Sequence, residues 1–89
     1  MTYYGAKKVI AWHLSELGVG GVFTVEQLEH WVQAAMIEQG RGGKRVEVDR
    51  RLRELRDLGW VISSFGDDAR LARNEYRLIQ VGQRIWEAA

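Results

Sequence analysis

The chain has 89 residues, enough for one small domain with one modest hydrophobic core. Hydrophobic residues make up 46% and charged residues 28%, which favours a folded chain over a disordered one. The absence of cysteine excludes a disulfide framework and a thiolate metal site, and no apolar run is long enough to cross a membrane. The start, M-T-Y-Y-G-A-K-K, lacks the order of a secretory signal. We therefore expect a single cytoplasmic domain spanning residues 1–89.

The basic residues are unevenly distributed along the chain, although the net charge is only +1. Seven of the 13 lie between Arg41 and Arg56, so that this segment carries +4 and the remainder carries −3. A basic patch on a slightly acidic body is typical of a protein that meets a polyanion with one face. Single phosphate contacts of this kind are weak and sensitive to salt.

Two helices and a short strand are predicted in the first half of the chain. The first helix runs from Tyr3 to Leu17 and ends at the glycines that follow. Residues 22–24 are too few for an independent strand but could pair at the edge of a small sheet. Thr24 and Gln27 have capping-box spacing, so a second helix should begin directly after Thr24 and end before Gly40.

The most regular pattern lies between Val46 and Val61. Its apolar residues recur at steps of four, three and three, which predicts an amphipathic helix that ends at Gly59. Helical projection places Arg50 and Arg53 opposite the apolar stripe and Arg51 on its rim. An arginine-rich outer face indicates contact with nucleic acid, and the alternative is a face that is merely solvated. The stripe consists of Val48, Leu52, Leu55 and Leu58.

The last third of the chain predicts a hairpin. Residues 60–64 and 75–79 alternate as two strands whose inward side chains include Ile62 and Leu78. The segment between them, residues 65–74, is a polar loop with turn-forming glycine and aspartates. Residues 81–87 are expected to form a short closing helix, with Ile85 and Trp86 as its anchors.

This order of elements resembles that of a winged helix-turn-helix domain. The most specific part is D-R-R-L-R-E-L-R-D-L-G-W-V, followed by a polar loop and E-Y-R-L. It is similar to the recognition helix, strand, wing and return strand of bacterial winged-helix domains. The chain also resembles the small winged-helix modules of actinobacteria and their phages, including those fused ahead of HNH-type endonucleases. The resemblance implies an α+β, mainly α fold with a three-helix core, a C-terminal β-hairpin wing and a short closing helix.

Carried over to this chain, the resemblance implies binding of double-stranded DNA by helix 46–58 in the major groove and by the 65–74 wing on the backbone. Arg50 and Arg53 would read bases or clamp phosphates. The alternative for Arg50 is an exposed ion pair with Glu54, one helical turn later. Two aspartates in the wing loop would oppose phosphate contact. The further implied DNA contacts are Lys44, Arg45, Arg51, Arg70 and Arg73.

No motif indicates catalysis or a cofactor. His13 and His30 lie on different predicted helices without acids at ligand spacing, so we expect no metal site. The glycines of V-G-V-G-G-V-F precede an aromatic residue and not a helix with lysine, unlike a phosphate-binding loop. We therefore expect that the protein is not an enzyme. The leading functional hypothesis is a small DNA-binding protein, acting as a transcriptional regulator or a phage accessory factor.

Four tryptophans in a chain of this length leave room for a second hypothesis. Trp31 and Trp60 are expected in the core. Trp12 and Trp86 are candidate contacts for a second copy of the chain or for another protein. The alternative is that both fold over the edge of a small core. The second hypothesis is accordingly a winged-helix protein-interaction module that does not contact DNA.

Overall fold

The structure is a computed structural model that describes residues 5–38, 40 and 47–87. It is a small α+β fold with three α-helices and one sheet of three antiparallel strands, so the expected α+β class and three helices are confirmed. None of the described helices is long and apolar enough to cross a membrane. The elements in chain order are α1 (Ala6–Leu17), β1 (Val22–Thr24), α2 (Val25–Glu38), α3 (Val48–Asp57), β2 (Val61–Ser64), β3 (Glu75–Gln80) and a closing 3-10 turn (Ile85–Glu87).

The last strand lies in the middle of the sheet, whose strand order is β1-β3-β2. Phe23 of β1 lies opposite Tyr76, and Ile62 of β2 lies opposite Leu78. Ile62 and Leu78 are buried, as the alternation predicted, and the rings of Phe23 and Tyr76 stack with centroids 5.7 Å apart. The early strand β1 thereby ties the first half of the chain to the hairpin.

The three helices and the inner face of the sheet enclose one hydrophobic cluster. On α3, Val48, Leu52 and Leu55 are buried and face this cluster, so the predicted stripe is its inner face. Trp60 is only 1% exposed, and its indole Nε1 donates a hydrogen bond to the carbonyl oxygen of Gln83 at 3.1 Å. The expected core position of Trp60 is therefore confirmed.

The start of α2 carries the predicted capping box. The backbone amide of Gln27 donates to Thr24 Oγ1 at 3.1 Å, and the Thr24 amide donates to Gln27 Oε1 at 2.8 Å. Each side chain thus satisfies an amide that has no partner inside the helix.

Replacing this cap should cost measurable stability. We expect Thr24→Ala to lower the free energy of unfolding by about 1 kcal/mol, because the Gln27 amide loses its acceptor. Urea denaturation followed by circular dichroism measures the change. Thr24→Ser keeps the hydroxyl and serves as the control. If serine destabilises as much as alanine does, the hydroxyl is not the stabilising group.

Three expectations need correction. The closing helix expected over residues 81–87 is only a 3-10 turn of three residues. The chain before it is held by other bonds, since the Gln83 amide donates to the carbonyl oxygen of Leu58 at 3.0 Å. The third helix was expected over residues 46–58, but it runs from Val48 to Asp57, with Glu47 as its N-cap. The polar loop contains a buried anchor, Leu71, which is 4% exposed.

Candidate nucleic-acid interface

The outer face of α3 presents two arginines to solvent. The side chain of Arg50 is 66% exposed, and Arg53 is also exposed. Arg53 makes no ion pair or hydrogen bond with any residue that the structure describes. An acid in the first turn, Asp49, and a base in the last turn, Arg56, match the helix dipole. The helix is therefore stabilised by its buried face and its ends, which leaves the central outer arginines available for a ligand.

Glu54 lies at the centre of a small charge cluster beside these arginines. Its carboxylate is 3.9 Å from Nε of Arg50, forms a short ion pair with Arg51, and lies 3.3 Å from Nζ of Lys7. Because three cations share one carboxylate, the cluster keeps a net positive charge. The ion pair of Arg50 with Glu54, which was the alternative interpretation of this arginine, therefore exists, but its distance is the longest of the three.

Lys7 also belongs to this surface, although the sequence pattern did not predict it. It belongs to α1, and its ion pair with Glu54 places the start of α1 beside the outer part of α3. Nothing in the local pattern around Lys7 indicates this, because the two residues are distant in sequence and meet only through helix packing. Lys7 adds a further cation to the arginine face of α3.

Arg56 has a structural role at the end of the same helix. Its Nη2 donates to the carbonyl oxygen of Ile62 at 3.2 Å, which ties the end of α3 to β2. Gly59 stands between these two elements with a φ of 92°, the left-handed conformation that glycine adopts without strain. The turn and the hydrogen bond together hold the hairpin close to α3.

A groove runs between the start of α2 and the start of α3. It has mixed charge, since Arg50 and Arg53 share it with the carboxylates of Glu29, Glu47 and Asp49. Guanidinium groups donate hydrogen bonds to guanine, while carboxylates accept them from cytosine N4 and repel phosphate. The groove therefore offers a donor and acceptor set for base edges and not a continuous track for phosphates. Its lining is completed by Val25 and Val48.

The loop between β2 and β3 that was predicted as the wing, residues 65–74, holds one of its arginines in an internal pair. Nε of Arg70 lies 3.0 Å from Oδ1 of Asp68, and its Nη2 lies 3.1 Å from Oδ2. The hydrogen bonds from the side chain and backbone of Arg70 hold the pKa of Asp68 below its usual value. Arg70 is 80% exposed, but its charge is compensated.

Asp68 also connects the wing to the sheet. Arg77 of β3 lies beside it, with Nε 3.6 Å from Oδ2, and donates from Nη1 to the carbonyl oxygen of Gly20 at 2.9 Å. Arg73 is exposed and has no hydrogen bond or ion pair within the described part of the chain. Of the two wing arginines, Arg73 is therefore the one whose guanidinium is free. Lys44 and Arg45, which were also predicted as contacts, lie outside the described residues.

The two candidate interface tryptophans have different environments. Trp86 is half-buried against the core, and its ring centroid lies 6.1 Å from that of Trp60, so it folds over the core edge. Trp12 is 42% exposed and packs edge-on against His13 at 4.9 Å between centroids. His13 in turn stacks on Trp31 at 4.8 Å. Burial lowers the pKa of His13, opposed by the nearby charge of Glu16.

The described histidines and acids do not form a metal-binding group: within residues 5–38, 40 and 47–87, no three His, Cys, Asp or Glu side chains are placed to share an ion. The arrangement of the site instead combines free guanidinium groups, a positive cluster and a mixed groove on one side of α3. Such a surface can bind the phosphates of a polyanion and offer hydrogen-bonding groups to the edges of its bases.

Comparison with known proteins matches the chain to a protein family. The family model of the KpnI N-terminal domain matches residues 7–79, from the first turn of α1 almost to the end of β3. KpnI is a restriction enzyme. No curated protein and no solved structure matched the chain. Since the matched segment contains most of the chain, including α3 and the wing loop, the chain belongs to the KpnI N-terminal domain family.

Proposed function

We propose that this chain is a winged-helix domain that binds double-stranded DNA, with α3 in the major groove and the wing loop on the backbone. The observation that carries the proposal is the position of Arg50 and Arg53. Both project from the outer face of a helix whose inner apolar face is buried. A helix fixed in this way can enter the major groove without losing its packing.

The arrangement of the sheet supports the proposal. β2 and β3 form an antiparallel hairpin that follows α3 directly, and β1 pairs with β3 on the other side. Arg56 joins α3 to β2, so the wing is held at a fixed position relative to the helix. A rigid unit of helix and hairpin can contact one duplex with both parts.

The family supports a narrower role. Because the domain is named for a restriction enzyme, recognition of DNA within a restriction system is favoured over transcription regulation. We propose that this chain supplies DNA binding and that it does not itself cleave DNA. Arg50 and Arg53 would contact base edges or phosphates, and Lys7, Arg51 and Arg73 would contact flanking phosphates.

A salt series with a labelled duplex of random sequence tests the proposal. We expect binding at about 50 mM salt that weakens roughly a hundredfold at about 200 mM if four phosphates are neutralised. A single strand of the same length is the control, and it should bind more weakly because it has no major groove. Failure to bind the duplex at the lower salt concentration would overturn the proposal.

Asp68→Asn should increase DNA affinity. The substitution removes a negative charge from the wing and releases Arg70 and Arg77 from their carboxylate partner. One additional phosphate contact would steepen the plot of log affinity against log salt by about 0.9. Fluorescence anisotropy titrations at several salt concentrations measure both effects.

Glu87→Gln is a matched control for this variant, since it releases Arg84 from a comparable ion pair of 3.1 Å outside the wing. Equal affinities of the two variants would contradict a wing contact.

The ion pair of Asp68 with Arg70 should also affect stability. Because the pKa of the Asp68 carboxyl is lowered on folding, its contribution is present above the ordinary carboxyl pKa and is lost as the pH falls through the lowered one.

The exposed ring of Trp12 favours a second candidate function, protein interaction. A large aromatic side chain in a preformed stack is typical of protein interfaces. Charge reversal by Arg53→Glu would leave such an interaction intact, whereas Trp12→Ala would abolish it. The DNA proposal predicts the opposite for duplex binding: Arg53→Glu would abolish it, and Trp12→Ala would leave it intact.

A further inference from the structure

The face of α2 that points away from the core is open to solvent among the described residues. Ile37 is 66% exposed on this face, and Ala34 is exposed beside it. The side chains of His30 and Glu38 have no hydrogen bond or ion pair with the residues that the structure describes. An exposed isoleucine, an unpaired imidazole and an unpaired carboxylate on the same helix would give a partner both apolar and polar contacts.

A groove with a rigid wall adjoins this face. It lies between α1 and α2, and its wall is the stack of Trp12, His13 and Trp31. Ring contacts on both sides of His13 fix the orientation of the two indoles, so that little side-chain freedom would be lost on binding. The remaining lining residues come from α2: His30, Ala34 and Glu38, which are exposed, and Ala35, which is partly buried.

The order of residues along α2 is self-complementary about Ala34. Three residues to either side stand Trp31 and Ile37, which are both apolar. Four residues to either side stand His30 and Glu38, an imidazole and a carboxylate. When two copies of the helix lie antiparallel with a two-fold axis at Ala34, each residue faces the one that is equally distant on the other side. The pairs of Trp31 with Ile37 and of His30 with Glu38 then match in polarity, whereas Gln33 and Ala35, one step from the axis, do not.

We propose that this face binds a second copy of the chain, with the two α2 helices antiparallel across a two-fold axis at Ala34. A two-fold interface uses the same patch on both copies and must therefore be complementary to itself. The small side chain on the axis lets the two helix backbones approach closely. Two contacts between Trp31 and Ile37 supply the apolar core of the interface, and two pairs of His30 with Glu38 fix its register.

The dimer is compatible with DNA binding by α3, although it does not depend on it. The groove toward α3 is lined by Val25 and Glu29, on a different side of α2 from His30 and Ala34. The outer face of α3 therefore stays accessible when two copies associate through this surface. Two such helices in one particle could contact two half-sites of one duplex.

Sedimentation equilibrium of the full chain tests the proposal. We expect a monomer–dimer equilibrium in the wild type and at least a tenfold weaker association in Ala34→Arg, because two arginines would meet at the axis. Val19→Arg is the matched control, since it adds the same side chain at a position that is 67% exposed in the turn after α1. Circular dichroism verifies that both variants are folded.

A crosslinking experiment locates the axis independently. The chain has no cysteine, so Ala34→Cys introduces a single thiol per copy. A residue on a two-fold axis faces its own counterpart, and a disulfide forms when the two Cα atoms lie within about 4.4–6.8 Å. We expect rapid disulfide formation under mild oxidation for Ala34→Cys and slow formation for Val19→Cys. A monomer at every concentration, a dimer that survives Ala34→Arg, or equal crosslinking rates would each overturn the proposal.

Discussion

Gly82→Ala is expected to destabilise the fold by about 3 kcal/mol, since a methyl group at this position has no space. An added Cβ would lie 2.5 Å from the backbone nitrogen of Trp60 and 2.6 Å from the carbonyl oxygen of Leu58. It would also lie 2.5 Å from Cδ1 of the buried Trp60 ring. Two of these three atoms belong to the backbone of the turn between α3 and β2, which cannot move without displacing both elements.

The hydrogen bonds around Gly82 hold its backbone rigidly against the turn between α3 and β2. The next residue, Gln83, donates its amide to the Leu58 carbonyl and accepts a hydrogen bond from the Trp60 indole. The methyl group would force these two bonds to lengthen, so the steric cost and the loss of bonding add. The result would be a melting temperature lower by roughly 12–24 °C for a domain of this size.

Gly66→Ala is the matched control, because its Cβ would meet only Ser64 Oγ at an ordinary 3.7 Å. We expect this variant to melt within a few degrees of the wild type. Differential scanning calorimetry of the two variants measures the contrast. Equal melting temperatures would contradict the close crossing of the two backbones at Gly82.

The elements that the sequence predicted are those determined by local spacing. The cap at Thr24 depends on residues three positions apart, and the buried stripe of α3 depends on helical periodicity. The end of α3 was predicted from Gly59, which lies in the turn just after the helix and has a positive φ. The alternation of Ile62, Tyr76 and Leu78 in the hairpin is a local pattern of period two. Each of these signals is contained within a few neighbouring residues.

The features that the sequence did not predict depend on packing between distant segments. Lys7 meets Glu54 only because α1 crosses α3. The chain around Gly82 stays out of a helix because Gln83 bonds to Leu58 and Trp60 across the fold. The apolar Leu71 was a signal in the wing loop, but one buried residue in a polar segment shows no periodicity. The pair of Arg70 with Asp68 was likewise not predicted, although the aspartates of the loop were expected to oppose phosphate contact.

The double substitution Arg50→Ala and Arg53→Ala should abolish most duplex affinity at moderate salt. Each arginine that contacts a phosphate contributes about 0.9 to the slope of log affinity against log salt, so the double variant should lose about 1.8. An arginine that pairs with a guanine edge is worth about 1–3 kcal/mol in addition. We expect Arg53→Ala to have the larger single effect, because Arg50 is partly compensated by Glu54 at 3.9 Å.

The two modes of contact give different results once a preferred sequence has been selected. Loss of a phosphate contact weakens binding equally on all sequences, whereas loss of a base contact weakens the preferred sequence more and relaxes specificity. Arg84→Ala is the matched control, since Arg84 is 62% exposed and lies outside α3 and the wing. If the double variant binds duplex DNA as the control does, α3 does not contact DNA. The exposed arginines would then be a solvated face, and the surface around Trp12 would become the principal candidate for function.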